Sequence, residues 1–361
     1  MKSKLFLFCL LLVVSQTLYS ANPITSFQMD INAEKRREEQ EKLRKIEKNP
    51  PKETEYKVNE IVVPAEEKGT KIKKIIITGN SVVSDFDIKL IMKKYIGKKG
   101  GTNIINFLKE LENFYLEKGY IATRVKIDMQ NSNFKEGIVA YKILEGDIEK
   151  IVFKEPILYE KEKIFFSFPC KEGDIVNLKD LDQGIDNINS VSSNNAKFDL
   201  IPGEKIGSTI IEVENQKSKK ISGTINYNNL GQETTGEERG KISLTFSDVL
   251  GFNDSLTGTY QRKLGRKRDE RDNENFSFYY RVPYKYWEFY ISKDKSEYLS
   301  TIRALNQKYK SDGVSENMTY GLRRVIHRDS DSKTDLGVSL INKDTKNYIE
   351  DIKLITSSRK L

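Results

Sequence analysis

Apolar and polar residues alternate along this chain with two different periods, and the change of period divides it. From Lys71 to Thr78 a short Ile-rich run closed by Gly79-Asn80 predicts a strand and a turn. Ser84, with Asp87 three residues on, forms a capping-box variant at the start of a helix whose apolar face is Phe86, Ile88, Ile91, Met92 and Tyr95, with Gly97 as its stop. Thr102 or Asn103 is expected to cap a second helix with the stripe Ile104, Phe107, Leu108, Leu111, Phe114 and Tyr115, ended by Gly119. Strict alternation follows: Ile121, Thr123, Val125 and Ile127 share one face, while Ala122, Arg124, Lys126 and Asp128 share the other. A further strand, Gly137 to Leu144, completes an order β-α-α-β-β, which predicts a compact α+β unit with helices on one sheet face.

A weaker copy comes next. Ile148 to Phe153 reads as a strand, Tyr159 to Phe166 as a stunted helix and Leu178 to Ser190 as a second helix; Ala196 to Ile201 and Ser208 to Val213 read as two strands. Two tandem units, 71–147 and 148–217, account for these residues.

Beyond Lys219 the period becomes two. Ile221, Gly223, Ile225 and Tyr227 alternate with polar residues, as do Ile242, Leu244 and Phe246, then Leu256, Gly258 and Tyr260. Phe276, Phe278, Tyr280 and Val282 continue the series, followed by Trp287, Phe289 and Ile291, by Leu336, Val338 and Leu340, and by Ile352 and Leu354. Segments of about ten alternating residues separated by turns are the signature of membrane β-barrel strands. Brief turns (Leu250 to Asn253, Pro283 to Tyr286) alternate with longer charged loops (Gly231 to Arg239, Gly265 to Glu274), as at the two ends of a barrel. Tyr279, Tyr280, Tyr284, Tyr286, Trp287 and Tyr290 cluster where an interfacial aromatic belt is expected. The fold class is therefore tandem α+β units followed by a partial antiparallel transmembrane β-barrel over 218–361; the alternative for the last region is a β-sandwich with one wet face.

The N-terminus has the layout of a secretory signal peptide over 1–21: Lys2 and Lys4, an apolar stretch from Leu5 to Val14, and a small-residue exit at Ser20 and Ala21. Residues 22–70 form a charged helix and linker. Met29 to Lys48 is a good helix former with too little apolar surface to bury itself, Asn49-Pro50-Pro51 stops it, and Lys52 to Thr70 is polar.

Composition removes several functions. The formal net charge is +8, but 61 Lys and Arg are interleaved with 53 Asp and Glu, which describes solvated faces rather than a nucleic-acid-binding patch. With the signal removed, Cys170 is the only cysteine, so no intramolecular disulfide forms. His327 is the only histidine and is expected in a loop. Neither GxGxxG nor a P-loop occurs, and no spacing of carboxylates marks an acid-base pair. A non-enzyme without cofactor or metal is expected.

Several stretches, in order, resemble the haemolysin activation/secretion family of two-partner secretion transporters. Glu117 to Gln130 (EKGYIATRVKIDMQ) resembles the end of that family's first POTRA domain, and Ile143 to Ile151 (ILEGDIEKI) its junction with the second. Phe198 to Glu214 (FDLIPGEKIGSTIIEVE) resembles the closing strands of the second POTRA domain. Asn229-Leu230-Gly231, Thr235-Gly236, Gly251-Phe252-Asn253-Asp254, Arg281 to Trp287 (RVPYKYW) and Ser357 to Leu361 (SSRKL) resemble barrel hairpins. The resemblance implies periplasmic POTRA domains that capture an unfolded secreted exoprotein of haemolysin or adhesin type, and an outer-membrane barrel that passes it to the surface without nucleotide or cofactor. It also implies that the helix over Met29 to Lys48 plugs the pore. Its partners would be the exoprotein and outer-membrane lipid and lipopolysaccharide, with no nucleic acid, and the chain would be monomeric. The family's barrel has more strands than the eight or nine that fit between Lys219 and Leu361, so a C-terminally truncated product is expected.

An exposed sheet edge offers unpaired N–H and C=O groups to an extended peptide. The expected substrate-binding groove is therefore Ile121, Thr123, Val125 and Ile127 beside the helix face of Phe107, Leu111 and Phe114. Two other functions fit the pattern: an outer-membrane barrel-assembly factor, and a periplasmic binding or adhesin fragment.

Overall fold

The computed structural model describes residues 58–61, 69–155, 157–265, 269–304, 307–329 and 332–361. The signal peptide at 1–21 and the charged helix at 29–48 lie outside the described residues.

The first unit runs β1 (Lys74–Thr78), α1 (Asp85–Tyr95), α2 (Gly101–Glu117), β2 (Arg124–Ile127) and β3 (Ile138–Leu144). Its sheet order is β1-β3-β2, with β1 parallel and β2 antiparallel to β3. The last strand thus takes the centre and leaves β2 at an edge. Ser84 caps α1 by accepting a hydrogen bond from the Phe86 N–H. Ile88, Ile91 and Tyr95 are buried as the stripe requires, but Phe86, in the first turn, lies 68% exposed. At α2 the cap is Gly100 with no side-chain hydrogen bond, not Thr102 or Asn103, both of which lie inside the helix. The core joins Ile75, Ile91, Tyr95, Phe107, Leu111, Tyr115, Val139, Tyr141 and Ile143. Burying one such side chain contributes roughly 1.5–3 kcal/mol.

The second unit repeats the topology. β4 (Asp147–Phe153), α3 (Glu160–Ser167), α4 (Leu178–Asn189), β5 (Asn194–Pro202) and β6 (Ser208–Lys217) form a sheet of order β4-β6-β5. Again the last strand is central, parallel to the first and antiparallel to its neighbour. On α4, Gly184 makes room for the buried Phe168 ring: a Cβ there would stand 2.1 Å from a ring carbon. The expected strand over 121–127 is shorter than its alternation. Ile121 and Ala122 turn away and pack on the second core, and a Leu178 N–H to Gly119 C=O hydrogen bond ties the two units.

The rest is one antiparallel sheet of nine strands among the described residues. β7 (Ile221–Asn228), β8 (Arg239–Ser247), β9 (Ser255–Lys263), β10 (Asp272–Tyr284), β11 (Trp287–Ala304), β12 (Gln307–Arg328) and β13 (Lys333–Ile349) pair in chain order. The two-residue strands β14 (Ile352–Lys353) and β15 (Arg359–Lys360) both pair with β13. Register carries the apolar positions across one face: Ile225 opposite Ile242, Ile242 opposite Tyr260, Tyr260 opposite Phe276. Farther along, Phe289 stands opposite Leu322 and Leu322 opposite Val338. The other face is polar, with Ser243 bonded to Thr259 at 3.0 Å and Ser277 to Asp294 at 2.7 Å.

This register divides the aromatic cluster. Tyr280 and Trp287 lie on the apolar face. Tyr279 and Tyr290 lie on the polar face with ring centroids 5.9 Å apart, and Tyr290 covers Gly321, where a Cβ would stand 1.9 Å from the ring. The outer connections also differ from the expected alternation. β11 and β12, of 18 and 22 residues, lengthen in place of a long loop. His327 belongs to the end of β12, not to a loop. No helix among the described residues is long and apolar enough to cross a membrane, which says nothing of strands.

Gly184→Ala is expected to lower the stability of the second unit by about 1–3 kcal/mol through overpacking against Phe168. The midpoint of urea-induced protease susceptibility within 147–217, measured on the full chain, reads the change.

Candidate functional site

Two places carry the structure's functional geometry: the free edge of β2, and the seam where α3 and α4 meet the turns of the large sheet.

At the first, the side chains expected to line a groove are mainly core. Phe107 and Leu111 have 0% exposure, Thr123 and Val125 are buried, and Ile127 and Phe114 are half-buried against the same cluster. Ile121 faces the second unit instead. The structure brings Phe107, Leu111, Val125 and Ile127 together as packing, which leaves the outward main chain of β2 as the part open to a peptide. One of its groups is taken: the Val125 N–H donates to Glu112 Oε1 at 3.0 Å.

At the seam, three turns at one end of the sheet all meet the second unit. In the β8–β9 turn, Asp248 forms an ion pair with Lys163 of α3 at 2.9 Å, the two side chains only 9% and 3% exposed. Lys220 adds a second contact to Asp248 at 3.3 Å, and the Asn253 N–H donates to its other oxygen at 3.1 Å. Asn253, held at φ 59°, also donates through Nδ2 to Ser167 Oγ at 2.8 Å. Phe252 of this turn stacks on Phe166 of α3 with centroids 4.5 Å apart and planes 9° from parallel.

In the β10–β11 turn, the Lys285 N–H donates to the Phe166 C=O at 2.7 Å, and the Lys285 C=O accepts from Asn187 Nδ2 at 2.7 Å and Gln183 Nε2 at 3.2 Å. Tyr284 packs on Phe165 and Phe166, and the Tyr286 hydroxyl donates to Asp180 of α4. These two aromatics of the expected belt therefore serve the seam. At the β12–β13 turn, buried Arg328 pairs with Asp186 at 2.6 Å and Lys333 joins at 3.2 Å.

Burial alone would raise the Asp248 carboxyl, but the Lys163 ammonium and the Asn253 N–H outweigh it and hold its pKa below the ordinary value. Burial lowers Lys163, against the pull of Asp248. Nothing in the sequence singled out Lys163 or Asp248. Lys163 sits in an eight-residue helix among Glu160, Lys161 and Glu162 and reads there as a solvated charge.

The polar face of the large sheet carries its charges in a row: Arg281 pairs with Glu288 at 3.0 Å, and Arg323 approaches Glu288 at 3.7 Å. No group of His, Cys, Asp and Glu suited to a metal occurs among the described residues. Cys170 is buried, which pushes its thiol up to about 12, and His327 bonds to Asp329 at 2.7 Å.

Residues 207–361 match the model of the haemolysin secretion/activation protein family, ShlB/FhaC/HecB. Residues 70–146 match the ShlB-type POTRA domain and 147–202 a second POTRA domain model. The chain carries the haemolysin secretion/activation family domain together with POTRA domains. Its β-α-α-β-β units are thus POTRA1 and POTRA2, and its sheet is the family's barrel sheet. The chain is 32% identical over 260 residues to the hemolysin transporter protein ShlB of Serratia marcescens, covering 71% of this chain and 45% of that protein. It is 26% identical over 294 residues to the outer membrane transporter CdiB of Dickeya dadantii (strain 3937), covering 80% and 51%. It spans about half the length of the curated relatives it matches. Among solved structures, CdiB from Escherichia coli superimposes with a TM-score of 0.83 at 22% identity, over 96% of this chain and 63% of that one. CdiB from Acinetobacter baumannii gives 0.76 at 21%, over 95% and 66%. These two similarities show the fold.

Asp248→Asn is expected to leave the Lys163 ammonium buried without its counter-charge, at a cost of about 3–5 kcal/mol. Opening of the POTRA2–sheet seam, read as hydrogen exchange at the Lys285 amide, which donates to Phe166 across it, should rise accordingly. Because the Asp248 pKa is lowered on folding, its contribution is complete above about pH 4 and is lost as the carboxylate protonates on acidification. The same exchange rate should climb below that pH in the wild-type chain and change little in Asp248→Asn.

Proposed function

We propose that this chain acts as the transporter component of a two-partner secretion pair. Its POTRA domains receive an unfolded exoprotein of haemolysin or adhesin type in the periplasm, and the outer-membrane barrel to which its sheet contributes passes that exoprotein to the cell surface. The supporting observation is the seam: all three turns at one end of the sheet are bonded to α3 and α4 of POTRA2, so a polypeptide delivered to the POTRA domains arrives beside the polar face of the sheet. That face, lined by Ser, Thr, Asn and paired charges, suits a hydrated passage, and the opposite face suits lipid and lipopolysaccharide. Transfer of an unfolded chain by such a route requires no covalent step, which supports a role without catalysis, nucleotide, cofactor or nucleic acid and a single chain as the working unit.

The residues expected to meet the exoprotein are those at the β2 edge. Strand addition uses main-chain groups and so tolerates many sequences, as a transporter of unfolded chain needs. The match to a secretion family, rather than to an assembly factor, favours transport over barrel insertion.

A photo-crosslinking side chain at Ile127, beside the outward main chain of β2, is expected to capture a urea-unfolded haemolysin-type exoprotein diluted onto the outer-membrane-inserted chain, and to capture little of the same exoprotein once folded. Equal capture of folded and unfolded forms, or none of either, would contradict the proposal.

A further inference from the structure

One short segment ahead of POTRA1 is held by a set of contacts that its own side chains do not explain. Residues 58–61 lie along the outer face of α2. The side-chain amide of Asn113 accepts from the Asn59 N–H at 2.8 Å and donates to the Asn59 C=O at 2.9 Å. One amide therefore pairs with both main-chain groups of one residue, as a neighbouring strand would. Lys109 Nζ donates to the Glu60 C=O at 2.9 Å. Glu112 accepts from Asn59 Nδ2 at 3.1 Å through one oxygen, while its other oxygen holds the Val125 N–H on the β2 edge at 3.0 Å.

Positions 109, 112 and 113 fall on one helix face by their spacing. With the segment in place Asn113 is 7% exposed, and its amide is held at both ends by the Asn59 main chain. Val58 and Ile61, by contrast, are 56% and 47% exposed. The segment is gripped by its backbone and buries little of its own apolar surface.

We infer that Lys109, Glu112 and Asn113 form a receptor for the main chain of an extended polypeptide, and that Val58–Ile61 is its resident occupant. Three of the four contacts go to N–H and C=O groups common to every residue except proline, which lacks the N–H. The receptor thus accepts extended chain with little regard to side chain. It adjoins the β2 edge through Glu112, so an extended chain that replaces the resident segment is held beside that edge. An occupant joined to the same chain competes at an effective concentration on the order of millimolar, enough to exclude weak ligands and to yield to a long unfolded chain that makes contacts elsewhere as well. That an exoprotein is the replacing chain rests on the proposed function.

The test uses the full chain and a fluorescent peptide of residues 56–63. Asn59→Pro removes the N–H that Asn113 reads and alters the occupant without touching POTRA1. Peptide affinity is expected to rise at least tenfold in Asn59→Pro over wild type, and to fall back in Asn59→Pro combined with Asn113→Ala. Equal affinity in wild type and Asn59→Pro, or binding undiminished by Asn113→Ala, would overturn the inference. Urea-unfolded exoprotein is then added to the Asn59→Pro complex. Its displacement of the peptide supports exchange at this receptor, whereas peptide that binds as expected and is not displaced counts against the transport reading and leaves the receptor standing.

Discussion

A lysine and an aspartate taken out of water hold the soluble and membrane parts of this chain together. Lys163 and Asp248 come from elements 85 residues apart, and each is costly to bury alone. Their mutual attraction offsets that cost only when α3 sits against the β8–β9 turn, with Asn253 and Lys220 completing the shell around the carboxylate. The pair acts less as a source of net stability than as a pin, since this placement of α3 is what gives the buried Lys163 ammonium its counter-charge. The Phe166–Phe252 stack, the Lys285 main-chain bonds and the Arg328–Asp186 pair then fix the same orientation at three successive turns.

The sheet beyond the seam obeys a different constraint. In hydrocarbon every backbone group needs a partner within the protein, and each one left unpaired costs several kcal/mol. Register satisfies this between neighbouring strands and keeps Ile, Leu, Phe and Tyr on one face with Ser, Thr and paired charges on the other. Among the described residues β7 keeps one free edge, and β13 is covered on its outer side only by the short strands β14 and β15. In a bilayer both edges require hydrogen-bond partners.

Much of this fold was legible because it rests on local periodicity. The α2 stripe through Phe107, Leu111 and Tyr115 specifies a buried helix face, and the period of two from Ile221 onward specifies strands with one apolar face. The repeat was legible as well, because both copies place their strands and helices in the same order. β12 was not, although it is the longest strand. Its apolar run is only Met318, Tyr320 and Leu322, bounded on the same face by Glu316 and Arg324, so its alternation is submerged in charge. The burial of the expected groove residues was only partly legible for a related reason: alternation reports that Val125 and Ile127 share a face, not that this face is covered by α2. The ion pair of the seam left no trace, since it joins two residues whose types are common on surfaces; its turns were marked only as hairpins and belt aromatics, at Gly251 to Asp254 and Arg281 to Trp287. The grip on residues 58–61 was equally silent, since it is made to main-chain groups.

POTRA2 and the sheet form one body, pinned at the seam. Spin labels at Glu172 of POTRA2 and Asp335 of β13, in the full chain inserted in lipid, test it through the distance distribution measured by double electron–electron resonance. A single narrow distribution is predicted for the wild-type chain, broadening when Lys163 is replaced by Met. A distribution already broad in the wild type, or one that Lys163→Met leaves unchanged, would contradict the account.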